Sequence, residues 1–331
     1  MKKASICIVT PALADANNGN WQTARRWADM LAGHYEVHLS KTWPQKNADS
    51  GRSFDVLIAL HARRSADAVA AWALAHPDRM LVLVLTGTDL YRDIQTDPAA
   101  QRSLALATRV VVLQDQGPLA LPPAWRHKAR VVFQSSTTRQ TLPKTARHLR
   151  ALMVGHLRTE KMPQTFFEAA YLLRDEPGIR LDHIGEALDP ALATAARQTA
   201  RDCPQFRWLG GLPHADTRAR IQRAHVLVHA SRMEGGAHVV MEAVQSGTPV
   251  LASRIAGNVG MLGEAYGGYF PLGDAQALAE RLRACRAEQQ RGMGQSRDGL
   301  TQLQAQCETR RALFAPANEQ AALLALLREP I

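Results

Sequence analysis

The sequence predicts an α/β chain built of two doubly wound parallel sheets, and three observations carry that expectation. At 331 residues the chain is about two domains long, each large enough to bury its own core. Short β-branched runs alternate with helical stretches through both halves, the pattern of βαβ units on a parallel sheet. A polar, turn-rich stretch from Gln134 to His148 interrupts the alternation once, as a linker does. The expected domains are 1–148 and 149–331.

In chain order, the first half predicts strands over 4–10, 36–39, 55–60, 80–86, 109–113 and 130–133, with helices over 21–31 and 66–75. The second half predicts strands over 149–154, 179–184, 206–209, 225–230 and 249–252. Helices fall between them near 163–174, 190–201 and 236–245. Residues 275–289 and 302–327 have the apolar stripe of amphipathic helices and are expected to close the second domain.

Composition narrows the class. Apolar residues make up 46% and charged residues 21%, which suits a folded globular protein and not a disordered one. Cys7, Cys203, Cys285 and Cys307 are scattered with no C-x-x-C pair, so neither a disulfide framework nor a zinc site is implied. A reducing cytoplasm is the expected location. Met1-Lys2-Lys3 precedes an apolar run that ends at Leu13; it reads as a first strand, not an export signal. No apolar run approaches the roughly 18 residues of a membrane span. The net charge of +10 is uneven, because residues 1–148 hold 19 basic against 11 acidic residues, net +8. That suits an anionic partner; equally, 33 of the 40 basic residues are Arg in an Ala-rich chain, a bias that base composition alone produces. Nucleic acid is not expected, since aromatic residues are only 5% and Lys only 7 of the 40 basic residues.

Ligands of open parallel sheets bind where strand carboxyl ends lead into helix N-termini, and with two such domains the expected site is the cleft between them. Ser231–Glu242 is the most specific such segment. Glu234 precedes two glycines, Gly235 and Gly236, which let backbone approach a ligand, and a helix N-terminus there suits an anion. Glu242 follows eight residues later, about 12 Å along a helix. The pair could hold opposite ends of an elongated ligand with a central diphosphate, which is the shape of a nucleotide sugar. The same residues also fit a capped amphipathic helix with two solvated glutamates. After an earlier strand, Gly155, His156, Arg158 and Lys161 form a glycine turn with two cations suited to a departing diphosphate. Gly247-Thr248-Pro249-Val250 leads into a strand, and Ala256–Gly260 is expected to be a second flexible loop. In the first half, Asn17–Thr23, with Gly19 and Asn20, opens a helix bearing Arg25 and Arg26, a place suited to phosphate. His61, beside Arg63 and Arg64, and Leu85–Arg92, with Thr86, Gly87 and Asp89, end two further strands. His61 equally fits a capping or core histidine, and Asn17–Trp21 an ordinary turn. His225 and His229, four apart on a strand, fit ordinary sheet residues better than metal ligands.

Glu234 and Glu242 in E-x7-E spacing, the G-x-P-V at Gly247–Val250 and the Gly155–Lys161 turn resemble the nucleotide-sugar domain of GT-B glycosyltransferases of family 4, over about residues 149–275. That resemblance implies two Rossmann-like domains facing across a cleft and no required metal or resident cofactor. It implies that Glu234 faces the transferred sugar, Glu242 holds the ribose, and Arg158 and Lys161 bind the diphosphate. Gly155, His156, Gly235 and Gly236 complete the donor site. The chain departs from the pattern at His156, where Arg is usual, at Ala237, where a second glycine is usual, and at Met261, where Glu is common.

The first-half segments, with Val131–Ser136 and His156, resemble the selenosugar synthase family of selenoneine biosynthesis along nearly the whole chain. What this implies is transfer of a sugar, N-acetylglucosamine, from a UDP-sugar to selenophosphate, giving a 1-seleno sugar and releasing UDP and phosphate. Gly19, Asn20, Thr86, Gly87 and Asp89 would hold the acceptor, and His61, Arg158, Lys161 and Glu234 would act in catalysis. The alternative is a family 4 enzyme that makes an O- or S-glycoside of a small metabolite.

Overall fold

A computed structural model describes residues 3–11, 19–44, 53–291 and 299–330. The chain folds as two compact units, 1–134 with 234–236 and 316–331, and 135–233 with 237–315.

The first unit holds β1 (Ser5–Val9), β2 (Glu36–Ser40), β3 (Val56–Leu60), β4 (Met80–Val84), β5 (Arg109–Val112) and β6 (Ala129–Val131). They form one sheet in the order β2-β1-β3-β4-β5-β6, with every pairing parallel. Its central strands VLIAL and MLVLV are buried along their whole length, as parallel strands covered on both faces must be. On one face Leu57 packs with Trp72 and Leu104, on the other Ile6 packs with Trp27 and Leu31. The helices are α1 (Gly19–Leu31), α2 (Ala66–Ala75), α3 (Ile94–Thr96), α4 (Pro98–Leu106) and α5 (Gly117–Ala120). In α1 the buried residues Thr23, Ala24, Trp27 and Leu31 fall on one helical stripe. Asp97 caps α4 by accepting from the Ala99 and Ala100 amides, with Pro98 in the first turn.

The second unit holds β7 (Leu149–Val154), β8 (Ile179–Ile184), β9 (Phe206–Trp208), β10 (Val226–His229), β11 (Val250–Ser253) and β12 (Tyr269–Phe270), ordered β12-β11-β10-β7-β8-β9. All its pairings are parallel too. Its helices are α6 (Pro163–Leu172), α7 (Pro190–Asp202), α8 (His214–Arg223), α9 (His238–Gln245), α10 (Ala256–Leu262), α11 (Ala275–Arg291) and α12 (Leu300–Arg310). Among the described residues no helix is long and apolar enough to cross a membrane.

Four details differ from the sequence-based expectation. The units divide after Gln134, not at 148/149, because the polar stretch expected to be a linker is tied down. Ser135 and Ser136 are buried, the Ser136 amide donates to the Phe314 carbonyl at 3.1 Å, and the Arg139 amide donates to the Gln245 carbonyl at 2.9 Å. The amphipathic run 302–327 is two helices, since backbone before proline avoids the α region and Ala315 is extended. The second of them, α13 (Pro316–Leu327), belongs to the first unit, where Leu323 and Leu326 join the Trp27 core. There Glu319, 1% exposed, accepts from Arg26 Nε and Nη2 and from Trp27 Nε1 at 2.7 Å. Finally, Ala256–Gly260 is the start of the buried helix α10, not a flexible loop. Asn258 anchors it, its amide donating to the Ser253 carbonyl at 2.8 Å and its Oδ1 standing 3.0 Å from His229 Nδ1.

Candidate functional site

In the second unit the glycine turn leaves the end of β7 and is held from beneath. The Gly155 amide donates to the Ile184 carbonyl at 2.8 Å, and His183 Nε2 lies 3.0 Å from the Gly155 carbonyl. A carbonyl only accepts, so the proton is on Nε2. His183 is wholly buried, and burial pushes its pKa down to about 4 against the pull of that carbonyl, so the ring is neutral. A Cβ on Gly185 would overlap the Gly155 carbonyl; only glycine permits so close an approach. Sequence reasoning missed both residues, since a lone histidine on a strand carries no signal.

Beyond the turn, His156 is exposed and its Nδ1 accepts from the Glu186 amide at 3.1 Å. Partial burial lowers its pKa, and Arg158 and Lys161 add to that against the pull of Glu186. It therefore stands as a neutral imidazole where a fixed cation was the usual residue. Arg158 is exposed and precedes the turn Thr159–Lys161. The Lys161 stem lies over Gly155, with Cγ and Cδ 3.4 Å from where a Cβ would sit. The Arg232 amide donates to the Glu160 carbonyl at 3.0 Å, tying this turn to the segment that follows β10. Since β10 and β7 are adjacent, the two segments leave neighbouring strand ends.

α9 begins at His238, not Gly236, so Glu234 lies outside it and the 12 Å helical spacing to Glu242 does not hold. Ala237, at its N-cap, donates to Met261 Sδ at 3.1 Å; the thioether does locally what a carboxylate would do more strongly. Glu242 is 5% exposed and is not a solvated residue. Its Oε1 accepts from His214 Nε2 at 2.6 Å and lies 3.9 Å from Arg218 Nη1. Arg218 is itself buried, donating to Ser136 Oγ at 2.6 Å and the Thr137 carbonyl at 2.8 Å. His214 and Arg218 were not singled out in the sequence, although their i,i+4 spacing puts them on one face of α8.

In the first unit, β1, β3 and β4 are consecutive across the sheet. Their carboxyl ends lead towards Gly19 and Asn20 at the start of α1, to His61, and to Thr86 and Gly87. Asn17 and Asn18 lie outside the described residues. Thr23 donates its hydroxyl to the Gly19 carbonyl at 2.9 Å and accepts from Gln134 Nε2 at 2.6 Å, fixing the first turn of α1. Arg26, at a helix start suited to phosphate, is committed to Glu319; Arg25 is exposed.

His61 is 3% exposed with φ 74°, a left-handed conformation that costs a non-glycine residue strain. Its Nδ1 accepts from the Arg64 amide at 3.4 Å, and Thr88 Oγ1 is 3.4 Å from Nε2. Burial lowers its pKa; Asp89 and Asp93, each just under 4 Å away, pull the other way. Burial also pushes the Asp93 carboxyl up, but hydrogen bonds from Arg63 and Arg92 outweigh it and leave the group below the usual carboxylate range. Asp89 has a different part from the acceptor-binding one expected. Wholly buried, it accepts from the Thr86 and Gly87 amides at 2.8 and 3.0 Å and, through its other oxygen, from the Ala62 amide at 3.0 Å. It shapes the loops that carry His61 and Gly87.

Glu234–Gly236 group with this first unit, although sequence placed them with the donor domain. A Cβ on Gly235 would stand 2.5 Å from the Thr86 carbonyl carbon, and one on Gly236 would stand 2.9 Å from Leu113 Cβ. Both glycines answer to close packing. His225 and His229 are structural: His225 Nδ1 accepts from the Arg150 amide at 2.9 Å, and His229 meets Asn258 as above. Among the described residues, no three His, Cys, Asp or Glu side chains group as a metal site.

Residues 134–295 match the family described as Glycosyl transferases group 1. Over 112 residues the chain is 32% identical to "Glycosyltransferase 1 domain-containing protein 1" of Xenopus tropicalis, a match that takes in 34% of this chain and 32% of that protein. The chain thus spans about a third of that relative's length. Among solved structures, sucrose-phosphate synthase from Thermosynechococcus elongatus superposes with a TM-score of 0.74 at 16% identity, over 98% of both chains. Anabaena HepE in complex with UDP-glucose superposes with a TM-score of 0.73 at 16% identity, over 98% of this chain and 99% of that one. S. aureus TarM, in a complex with UDP and alpha-GlcNAc-glycerol, gives a TM-score of 0.63 at 12% identity, over 83% of this chain and 55% of that one. At these identities the likeness concerns the fold, and the fold is GT-B.

Proposed function

We propose, from the premise that residues 134–295 form a glycosyl transferases group 1 domain, that this protein is a UDP-sugar-dependent hexosyltransferase with selenophosphate as its acceptor. One observation carries the donor half of the reading. Within the matched segment, the adjacent strands β7 and β10 lead into the Gly155–Lys161 turn and into α9 with Glu242, and the Arg232–Glu160 bond joins the two. A diphosphate over that turn meets Arg158 and Lys161, and a ribose meets Glu242. HepE was solved with UDP-glucose, which supports a UDP-sugar as donor. The net +8 of residues 1–148 and the resemblance of the first-half loops support a small anionic acceptor near Asn20, His61 and Gly87.

The chemistry is a displacement at the anomeric carbon. Selenium of selenophosphate forms the C1–Se bond as the C1–O bond to UDP breaks, with the electron pair leaving on the diphosphate. Water then cleaves the Se–P bond, giving the 1-seleno sugar and phosphate. A selenium nucleophile is largely ionised near neutral pH, so orientation matters more than a strong base. Arg158 and Lys161 stabilise the leaving charge, and Glu234 holds the sugar. No metal takes part, and turnover in a chelator checks that directly.

The test is incubation with UDP-N-acetylglucosamine and selenophosphate, following UDP by chromatography and the product by mass spectrometry. A 1-seleno sugar with equimolar UDP is the expected result. No product from selenophosphate with any UDP-sugar overturns the acceptor; UDP release with a hydroxyl or thiol metabolite instead moves the protein to O- or S-glycoside formation.

A further inference from the structure

We propose that a cavity between β7 and α8 in the second unit binds a phosphate-bearing anion of metabolite size. On the sheet, Arg150 of β7 is the register partner of Arg180 of β8, and Leu152 that of Asp182, so these four side chains share one face. Asp182 is 2% exposed and already neutralised, gripped by Arg207 through two hydrogen bonds of 2.8 Å. Arg150 has no such match. Its Nε is buried without a hydrogen-bond partner, and its Nη2 reaches only His148 Nε2 at 3.4 Å.

Over this face lies α8, whose two sides do different things. His214 and Arg218 face Glu242 and Ser136. Asp216, Ala219, Arg220 and Arg223 sit on the opposite side, at i, i+3, i+4 and i+7. With Arg150 and Asp182 they line a cavity of about 370 Å³. Among the described residues no ion pair engages Arg220 or Arg223. With Asp182 taken by Arg207, three guanidinium groups face one carboxylate, that of Asp216. Guanidinium forks match phosphate oxygens in geometry and charge, and the volume lies in the range of small-ligand sites, roughly 300–1,000 Å³. Arg150 is near the start of β7, about 13 Å from the Val154 end at four strand steps, so this place is separate from the turn at Gly155.

Arg220 and Arg223 are exposed and take no part in the proposed transfer, so an Arg220→Ala/Arg223→Ala variant folds and keeps its UDP affinity. The probe is inorganic phosphate, titrated by calorimetry at constant ionic strength. A saturable isotherm that the double variant weakens at least tenfold, with UDP affinity unchanged, is the expected result. That comparison separates this site from an acceptor-anion site in the first unit, which the variant leaves intact. A second arm uses phosphatidic acid vesicles: sedimentation with vesicles that the variant abolishes, without saturable free phosphate, supports the site and assigns a lipid headgroup as the source. Equal phosphate binding by both proteins, or binding of neither probe, overturns the proposal, whatever the glycosyl-transfer assay gives.

Discussion

His214 and Glu242 meet at 2.6 Å, joining α8 to the carboxylate proposed for the ribose. The Glu242 hydrogen bond and charge raise the His214 pKa above the usual imidazole value, against the opposing effect of partial burial, so the contact favours the protonated ring. With a raised folded pKa, its contribution is complete below the usual imidazole pKa and fades as pH rises through the raised value. NMR titration is expected to find His214 above 6.5 and to return it to the usual value in Glu242→Gln. Glu242→Ala is expected to weaken UDP binding by about 1.5–3 kcal/mol and also to lower Tm, because it leaves Arg218 buried beside no carboxylate. Unchanged UDP affinity in calorimetry would reject the ribose role.

Acid should destabilise the protein through His183. Its folded pKa of about 4 lies below the usual 6.5, so between those values the unfolded chain takes up a proton that the fold refuses. Stability is complete above pH 6.5 and falls as pH drops towards 4. His225, lowered by burial to about 4, acts in the same window. From His183 alone the loss between pH 7 and pH 5 is roughly 2 kcal/mol. Denaturant unfolding at the two pH values measures it, and His183→Phe is expected to be less stable at pH 7 yet less sensitive to acid.

Gly235→Ala tests the packing of the glutamate loop. The added methyl group meets only backbone, that of Thr86 and Gly87 at 2.5 to 2.7 Å, which cannot swing aside, so Glu234 must shift. A drop in kcat/KM of at least tenfold, with unaltered circular dichroism, is expected. Gly33→Ala, where a Cβ meets nothing within 4 Å, should be silent. Full activity in Gly235→Ala would show that Glu234 need not stay where it is.

Lys161→Ala bears on the leaving group. Charge on the diphosphate is greatest in the transition state, so kcat should fall at least as much as affinity. A rise in KM alone, in steady-state assays, contradicts that role.

Glu319→Ala removes a buried carboxylate that accepts from Arg26 and Trp27. Breaking such a pair costs about 3–5 kcal/mol, and the chemical unfolding midpoint should fall accordingly. A loss under 1 kcal/mol would mean that α13 contributes little to the first unit.

Much of the architecture was legible because parallel strands must be apolar throughout, and VLIAL and MLVLV announce themselves. The Gly155 turn was legible for a similar reason: glycine and cations after a strand have few other uses. What was hidden lies in pairs distant along the chain. Nothing near Glu242 points to His214, 28 residues earlier, and nothing around His183 separates a support for Gly155 from an ordinary buried ring. The run 302–327 carries one apolar stripe across Pro316, and a proline break has no direction, so the return of α13 to the first unit could not be read. Likewise nothing near Glu319 points to Arg26 and Trp27, 293 and 292 residues earlier.

The placement of α13 also constrains the order of events during synthesis. The first unit needs residues 316–327 for its core, yet the ribosome delivers all of 135–315 before them. Domains generally fold as they emerge, but here Trp27 and Arg26 must wait, exposed to the nascent-chain environment, while the second unit is made. The later-synthesised unit is therefore free to finish folding first, and the N-terminal sheet lacks part of its core until α13 has left the exit tunnel.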